Sequence, residues 1–387
     1  MHLCIICDEY PPCIHGGIGS VTRDLAEGLV GNGHKVTIIG IYNSNILNLP
    51  KYREEIINGV RVIRIPSFTN KKFSSRISVV LDRLLLSFIV FRENSLYKFT
   101  AVETPDYAGW LSFSTLIDVP LICRAHGSKT YFDHELSRYT GSLVNYLEKM
   151  QIHKAHHIIF VSDYTARKSV ELFGLYDRQY EIIYNAVDTN YFRPLENEVK
   201  EEGKIVFVNT ISPKKGAENL IRAFNLLIRS YPNIKLFMVG KKIELLKDGI
   251  SYYAKLQSII DPVAVNNIKF LGHLSRDEVL KHLQTAYVSC FPSFSEAFAV
   301  APLESMAVGT PTIYTKTCSG PETIEDGISG LLCNPNDPSD IAEKISIILD
   351  NPKLAQELGK NGRKRVLERF NKIDWLRKNI AYYNRFK

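Results

Sequence analysis

The sequence predicts an α/β protein built from two doubly wound domains. Short β-branched runs alternate with amphipathic helical patterns along the 387 residues, and such alternation is typical of parallel sheets covered by helices. The alternation occurs twice and is interrupted once, near residues 185–204, by an Arg-Pro pair and a charged run. The expected domains are therefore residues 1–190, joined by a C-terminal helix at about 370–387, and residues 191–369.

Each predicted strand is a short run rich in β-branched or aromatic residues. Several runs are apolar throughout, as strands buried on both faces are. The predicted strands are 3–7, 35–41, 60–65, 120–124, 157–162, 204–209, 235–239, 268–271, 288–291 and 310–314. The helical patterns between them have apolar residues at a period near 3.6. The predicted helices are 20–31, 217–229, 276–284, 299–308 and 338–349.

Composition excludes several classes of protein. Hydrophobic residues make up 45% of the chain and charged residues 23%, which are values of a globular protein and not of a disordered or fibrous one. The seven cysteines are scattered and odd in number, which favours reduced thiols over a disulfide framework. The net charge of +7 favours acidic partners. No zinc-finger spacing or RNA-binding signature indicates nucleic acid, so none is expected as a partner.

The start of the chain and its most apolar stretch bear on location. Met1 leads directly into a strand-like run, so we expect no signal peptide and a cytoplasmic protein. The stretch 79–91 contains Asp82 and Arg83 and is shorter than the about 20 apolar residues that a spanning helix needs. Basic residues around it leave two interpretations open. One is an amphipathic surface that docks peripherally on the inner face of the membrane, and the other is a core helix with a solvated basic edge.

Two segments have the chemistry of a phosphate site. Gly16 and Gly17 follow the first predicted strand and open the first helix, where free amides favour an anion. The spacing is not that of a dinucleotide fingerprint, and a tight turn is the alternative. Lys215 follows the predicted strand 204–209 and precedes Gly216. A lysine there can neutralise a diphosphate, and a solvated loop lysine is the alternative.

A third segment carries two carboxylates. Glu296 falls in a loop and Glu304 in the predicted helix 299–308, with the amides of Phe298, Ala299 and Val300 between them. Two carboxylates on either side of an amide-rich helix start suit a ligand that presents hydroxyls on both sides of a phosphate. The alternative is a helix-dipole partner followed by an exposed helical glutamate.

Together these segments resemble the family-4 retaining glycosyltransferases of the GT-B fold. The resemblance extends along nearly the whole chain and depends on the joint order of motifs that are individually weak. The motifs are Gly16-Gly17-Ile18-Gly19, His126-Gly127, Val161-Ser162, Tyr184-Asn185-Ala186-Val187-Asp188, Phe192-Arg193-Pro194, Lys215-Gly216, Leu271-Gly272, Pro292-Ser293, Glu296 with Glu304, Met306-Ala307-Val308-Gly309-Thr310-Pro311 and Gly320-Pro321-Glu322. The resemblance implies two Rossmann-like domains facing across a cleft, the N-terminal one binding the acceptor and the C-terminal one the nucleotide-sugar donor.

The resemblance also implies a role for each matching residue. Glu304 would bind the ribose hydroxyls, Glu296 the hydroxyls of the donor sugar, and Lys215 the diphosphate. His126 would position the donor sugar near its anomeric carbon, although a hydrogen-bonded turn residue is the alternative for this histidine. The remaining donor-binding positions are the amides of Gly16, Gly17, Phe298, Ala299 and Val300, which would stabilise the leaving group, and Leu274 in the base-binding segment.

The chain departs from the family pattern beside the phosphate-binding lysine. Thr210, which is also a predicted donor-binding position, stands where a second phosphate-binding arginine is frequent, and Asn209 stands where glycine is usual. Losing one charge-assisted contact weakens transition-state stabilisation by about 1.5 to 3 kcal/mol unless another group, such as Lys214, replaces it. The loop after Glu296 also reads Ala-Phe-Ala where glycines are common.

The expected function is a retaining hexosyltransferase of polysaccharide or glycoconjugate biosynthesis. It would move a sugar from a nucleotide-diphosphate donor, a UDP-sugar, to a saccharide or lipid-linked glycan. The donor is a substrate, and neither a metal nor another cofactor is expected. Two other classes stay open: a nucleotide-sugar epimerase of similar fold, and a catalytically degenerate nucleotide-sugar-binding subunit, which Thr210 motivates.

Overall fold

The computed structural model describes residues 1–12, 16–42, 53–68, 75–138, 141–195, 200–242 and 249–386. The chain divides into two compact units. The N-terminal unit is Met1–Asn185 together with Ile373–Lys387, and the C-terminal unit is Ala186–Lys372. Each unit has its own sheet, so the predicted α/β fold class is confirmed. The roles assigned to the two domains stay predictions.

The described part of the N-terminal unit contains an eight-stranded sheet in the order β3-β4-β2-β1-β5-β6-β7-β8. Its strands are β1 (His2–Ile6), β2 (Lys35–Tyr42), β3 (Arg53–Ile57), β4 (Val60–Pro66), β5 (Ala101–Pro105), β6 (Leu121–Ala125), β7 (His157–Phe160) and β8 (Tyr180–Ile182). Its helices are α1 (Gly17–Gly31), α2 (Ser75–Tyr97), α3 (Lys129–Glu135), α4 (Leu143–Lys154), α5 (Asp163–Phe173) and the last helix of the chain, α13 (Lys372–Tyr383). Neighbouring strands pair in parallel, except that β3 is antiparallel to β4.

The described part of the C-terminal unit contains a six-stranded parallel sheet in the order β11-β10-β9-β12-β13-β14. Its strands are β9 (Lys204–Val208), β10 (Lys235–Val239), β11 (Ile268–Gly272), β12 (Val288–Phe291), β13 (Thr312–Thr315) and β14 (Leu331–Cys333). Its helices are α6 (Ala217–Leu227), α7 (Tyr252–Ser258), α8 (Arg276–Thr285), α9 (Ala301–Ala307), α10 (Gly320–Thr323), α11 (Pro338–Asp350) and α12 (Pro352–Arg369).

Both sheets are doubly wound, and each has one point where the strand order reverses. In the N-terminal sheet this switch point lies between β1 and β5, and in the C-terminal sheet it lies between β9 and β12. Helices leave opposite faces of the sheet on the two sides of such a point, so a crevice opens at the carboxyl ends of the two strands. The loops after β1, β5, β9 and β12 are therefore where each unit can bind a ligand.

Local sequence explains why the main elements form. The strands on either side of the C-terminal switch point are apolar, and β12 is buried throughout. Helix α6 buries Leu220, Ile221 and Phe224 on one face, as its amphipathic spacing predicts. Helix α8 begins at a capping box in which Ser275 and Glu278 exchange side-chain to backbone hydrogen bonds. Its observed start is the predicted one.

Some elements differ from the prediction. Strands β3, β5, β8 and β14 were not predicted. Strand β5 could not be recognised from its composition, because Glu103, Thr104 and Pro105 make up most of it. The helix expected at 299–308 occupies only Ala301–Ala307. The apolar stretch 79–91 is part of the longer helix α2, and no helix in the described ranges is long and apolar enough to cross a membrane.

Candidate functional site

The switch point of the C-terminal sheet brings Lys215 and Glu296 together. Lys215 ends a single turn of 3₁₀ helix, Pro213–Lys215, that follows β9, and Glu296 lies in the loop that follows β12. Lys215 Nζ donates to Glu296 Oε1 at 2.5 Å. Their side chains are 16% and 6% exposed, so the pair is largely shielded from water. Nζ has three donors, which leaves it able to bind phosphate oxygens beside the glutamate.

Backbone contacts fix the two loops against each other. The Phe294 N–H donates to the Lys214 carbonyl at 2.9 Å. Gly216 follows the lysine with φ +74°, and a Cβ atom built on it would lie 1.9 Å from the Pro292 carbonyl oxygen. The close approach therefore requires glycine for two reasons, the left-handed backbone and the missing side chain. This packing sets the distance between the lysine and glutamate loops.

We expect Gly216→Ala to destabilise the C-terminal unit and to weaken donor binding. The methyl group must displace the Pro292 carbonyl, which would move the Lys215 loop away from Glu296. Gly327→Ala is a matched control, since Gly327 has φ +73° but nothing within 4 Å of a Cβ. The control should lose about 1 kcal/mol from backbone strain alone. Calorimetry and UDP titration compare the two variants, and equal losses would contradict the role given to the close contact.

The charge state of Glu296 is set by two opposing effects. Burial alone would raise the pKa of the buried carboxyl, but Lys215 and Lys214 hold it below its usual range. Glu296 is consequently ionised at neutral pH and accepts hydrogen bonds only. Lys214 is half-buried and is the second positive charge, after Lys215, that lowers the pKa of Glu296.

Glu304 lies on the same connection as Glu296, in the first turn of α9, and is half-buried. Its N–H donates to the Val300 carbonyl at 3.0 Å. The charge of Glu304 is among the causes that raise the pKa of Tyr191 to about 12, after burial and the hydrogen bond to Asp277. Arg276 stacks over Tyr191 with its guanidinium carbon 4.2 Å from the ring centroid.

The other donor-site positions predicted in this unit lie near the same edge of the sheet. Phe298, Ala299 and Val300 precede α9 instead of forming its first turn, and Phe298 is buried against Phe370. Thr210 is exposed just beyond β9, and its N–H is bonded to the side chain of its neighbour Asn209. Leu274, half-buried, connects β11 to α8.

The predicted glycine loop lies in the N-terminal unit, after β1. Residues 13–15 are outside the described ranges. Helix α1 begins at Gly17, and the exposed Gly16 N–H donates to Glu9 Oε2 at 3.1 Å. Among the described residues, a Cβ atom on Gly17 would meet nothing within 4 Å.

His126 follows β6 in the N-terminal unit. Burial and the charge of Arg124 lower its pKa to about 3, so the half-buried imidazole is neutral at pH 7 and has one donor and one acceptor nitrogen. The His126 and Gly127 N–H groups donate to the two oxygens of Asp106, at 2.8 and 3.2 Å. This carboxyl fixes the backbone of the histidine loop. Burial and the nearby Glu148 raise the pKa of Asp106 to about 8.

Sequence reasoning missed the acidic residues that support this loop. Asp106 directly follows β5, and the signal that could have found it is an acidic residue at the end of a strand. Glu148 on α4 accepts from the backbone N–H groups of Ala108 and Thr130, at 2.8 Å each. Across the switch point, the Tyr107 hydroxyl donates to Asp8 at 2.6 Å. Three carboxyls thus organise the carboxyl ends of β1, β5 and β6.

Comparison with known proteins identifies the family. The family model described as "Glycosyltransferase Family 4" matches residues 15–191, and the one described as "Glycosyl transferases group 1" matches residues 189–365. Together they account for most of the chain. The chain belongs to glycosyltransferase family 4. The family resemblance predicted from the sequence motifs is therefore confirmed.

One curated relative and two solved structures are similar to this family-4 chain over nearly their full length. An uncharacterized glycosyltransferase of Methanocaldococcus jannaschii is 25% identical, covering 99% of this chain and 98% of the relative. Sucrose-phosphate synthase of Thermosynechococcus elongatus has a TM-score of 0.81 at 20% identity, covering 100% of this chain and 98% of that one. HepE of Anabaena in complex with UDP-glucose has a TM-score of 0.78 at 16% identity, with 99% of each chain covered. These structures share its GT-B fold.

Proposed function

We propose that this family-4 glycosyltransferase transfers a hexose from a UDP-sugar to a hydroxyl of a saccharide or lipid-linked glycan, with retention and without a metal. The Lys215–Glu296 contact at the C-terminal switch point carries the proposal. It places a fixed positive charge and an ionised carboxylate side by side, which suits a diphosphate joined to a polyhydroxylated sugar. The UDP-glucose bound by HepE, a solved structure of similar fold, supports uracil as the base.

Each group has a proposed task. Lys215 and Lys214 neutralise the charge that grows on the diphosphate as its bond to the anomeric carbon breaks, in the place where a metal ion would otherwise act. Glu296 accepts hydrogen bonds from sugar hydroxyls, and Glu304 accepts them from the ribose. The leaving phosphate oxygen takes the proton of the acceptor hydroxyl as the new glycosidic bond forms on the same face. Neutral His126 donates to the donor sugar and does not act as a base at neutral pH.

A donor panel tests the proposal. The protein is incubated with UDP-, GDP- and ADP-sugars, with and without an acceptor extract, and release of nucleoside diphosphate is measured with and without EDTA. We expect UDP release that depends on acceptor and withstands EDTA, and a product whose anomeric configuration matches the donor by NMR. Inversion of the anomeric centre, or activity that needs added metal, would contradict the mechanism.

Two other functions give different outcomes in the same panel. An epimerase would change the sugar of the donor in the absence of acceptor, and sugar analysis after hydrolysis detects this. A degenerate binding subunit would bind UDP-sugar without transfer or slow hydrolysis. The second alternative is motivated by the exposed Thr210, where one positive charge of the family pattern is absent. Lys214, which already acts on Glu296, is the residue that we propose supplies this charge.

We expect Glu304→Ala to weaken the binding of free UDP itself by about 10-fold to 100-fold. Charge-assisted hydrogen bonds to ribose hydroxyls contribute about 1.5 to 3 kcal/mol, and each 1.4 kcal/mol is tenfold in affinity. Isothermal titration with UDP measures the effect. Glu343→Ala is the control, since Glu343 also lies on a helix of the C-terminal unit but is 63% exposed in its side chain. Unchanged affinity of Glu304→Ala for UDP would refute the ribose assignment.

A further inference from the structure

Helix α2 of the N-terminal unit has two apolar faces. One face packs into the core through Leu86, Ile89 and Val90. The opposite face presents Ile77, Leu84, Phe88 and Phe91 to solvent, at 52%, 46%, 58% and 38% exposure. Their spacing of seven, four and three residues places them in one stripe along the helix. A surface helix of a soluble protein usually has polar residues on its outer face. This stripe is instead an exposed apolar patch, and such patches indicate binding surfaces.

The patch continues beyond the helix. A groove of about 360 Å³ lies between Leu84 and Phe88 and the segment 113–117. Leu116 on the far side of that groove is 63% exposed. Lys154 lines the same groove, and Asp118 is an exposed acid close to it in the chain. The apolar surface is thus wider than a single helix and has charged groups at its border.

The charges that α2 exposes are all positive. Arg76 and Arg92 on the helix are exposed, as is Lys98 just after it. The two acidic residues of the helix, Asp82 and Glu93, are each 1% exposed.

Both buried acids are used internally. Asp82 accepts from the Ser67 hydroxyl at 2.6 Å and from the Phe68 N–H at 2.8 Å. Glu93 pairs with Arg61 at 2.7 Å, and with Arg92 at the same distance. Glu93 therefore offsets the charge of Arg92, and the exposed positive charge at the ends of the apolar stripe comes from Arg76 and Lys98.

We propose that this face of α2, with the groove beside it, docks the protein on an anionic lipid surface. The helix is about 34 Å long at 1.5 Å per residue and would lie in the plane of the interface, with Phe88 and Leu84 among the acyl chains and the cationic side chains at the headgroups. A second copy of the chain fits less well, because a symmetric contact through this face would bring two positive surfaces together.

Vesicle flotation tests the docking surface with the full chain. Vesicles of equimolar phosphatidylcholine and phosphatidylglycerol are compared with vesicles of phosphatidylcholine alone. We expect the protein to bind the anionic vesicles at least about tenfold more strongly and to be released by salt at about 1 M. The variant Leu84→Ser with Phe88→Ser should lose at least about tenfold in binding. Arg76→Gln with Lys98→Gln should lose about fivefold per charge.

The control variant is Leu226→Ser with Val263→Ser. Both residues are more than half exposed and lie in the C-terminal unit, so the loss of apolar surface is similar and vesicle binding should not change. Circular dichroism checks that all variants are folded. The proposal would be overturned if the wild-type protein did not bind anionic vesicles or bound vesicles of phosphatidylcholine alone equally well. It would also be overturned if the Leu84/Phe88 variant still bound anionic vesicles. A wild-type dimer that this variant converts to monomer would assign the face to a second copy instead.

The docking surface and the proposed sugar transfer can fail separately. Vesicle binding requires no donor, and UDP release in the absence of lipid requires no vesicle. Loss of vesicle binding with normal donor turnover in the Leu84/Phe88 variant is the expected combination, because none of its residues belongs to the candidate donor site.

Discussion

Glu296→Gln is expected to lower kcat/KM for the UDP-sugar by about 10²-fold while the affinity for free UDP stays near that of the wild type. Glutamine preserves the size of the side chain but removes the charge that Lys215 and Lys214 stabilise. A carboxylate that bonds sugar hydroxyls contributes about 1.5 to 3 kcal/mol for each bond, and two such bonds account for the loss. Steady-state kinetics and UDP titration give the two quantities. Free UDP lacks the sugar that Glu296 is proposed to bind.

A matched control separates the site from general electrostatics. Glu201→Gln removes the charge of another glutamate of the C-terminal unit that is paired with a lysine, Lys204, at 2.7 Å. This pair belongs to the start of β9, at the opposite end of the strand from Lys215, and its loss should leave turnover unchanged. Equal losses of sugar donor and free UDP in Glu296→Gln would assign Glu296 to the nucleotide and contradict the proposed role.

Glu103→Leu is expected to destabilise the N-terminal unit by about 3 to 5 kcal/mol. Glu103 on β5 accepts from Arg124 Nε at 2.8 Å and from the Tyr383 hydroxyl at 2.5 Å, and all three residues are buried. Without Glu103, the Arg124 guanidinium would be a buried positive charge that has lost its carboxylate partner. Removing one partner of a buried ion pair is strongly destabilising for this reason. The contact also joins α13 to the sheet of its unit.

Urea unfolding followed by tryptophan fluorescence measures this loss. The two tryptophans of the chain, Trp110 and Trp375, both lie in the N-terminal unit and are buried. Asp374→Ala on α13 is the control, because its pair with Arg377 is exposed and should contribute less than about 1 kcal/mol. Adding Arg124→Leu to the Glu103 variant should restore part of the stability. A Glu103 variant as stable as the control would show that the buried network contributes little.

The residues of the candidate site were predictable where they follow a strand that can be recognised from the sequence of that strand alone. Lys215 comes after the apolar run of β9 and Glu296 after that of β12, and those runs are visible without any knowledge of their neighbours. Asp106 was missed because β5 includes Glu103, whose burial depends on Arg124 from another strand. A charged residue in a strand indicates an exposed position unless the partner is known. The same limit concealed Glu148, whose bonds are to backbone groups distant in the chain.

The sequence by itself determined that this protein is α/β, that it has two domains, and that its residues match a family-4 glycosyltransferase, because periodicity and motif order are local properties of the chain. The tertiary structure decided which strands are neighbours. Strand β9 lies between β10, which follows it in sequence, and β12, which is distant in sequence. Because β9 and β12 are neighbours, Lys215 and Glu296, 81 residues apart, meet at one switch point. Packing against residues distant in the chain also decided which apolar face of α2 is buried in the core and which is exposed to solvent.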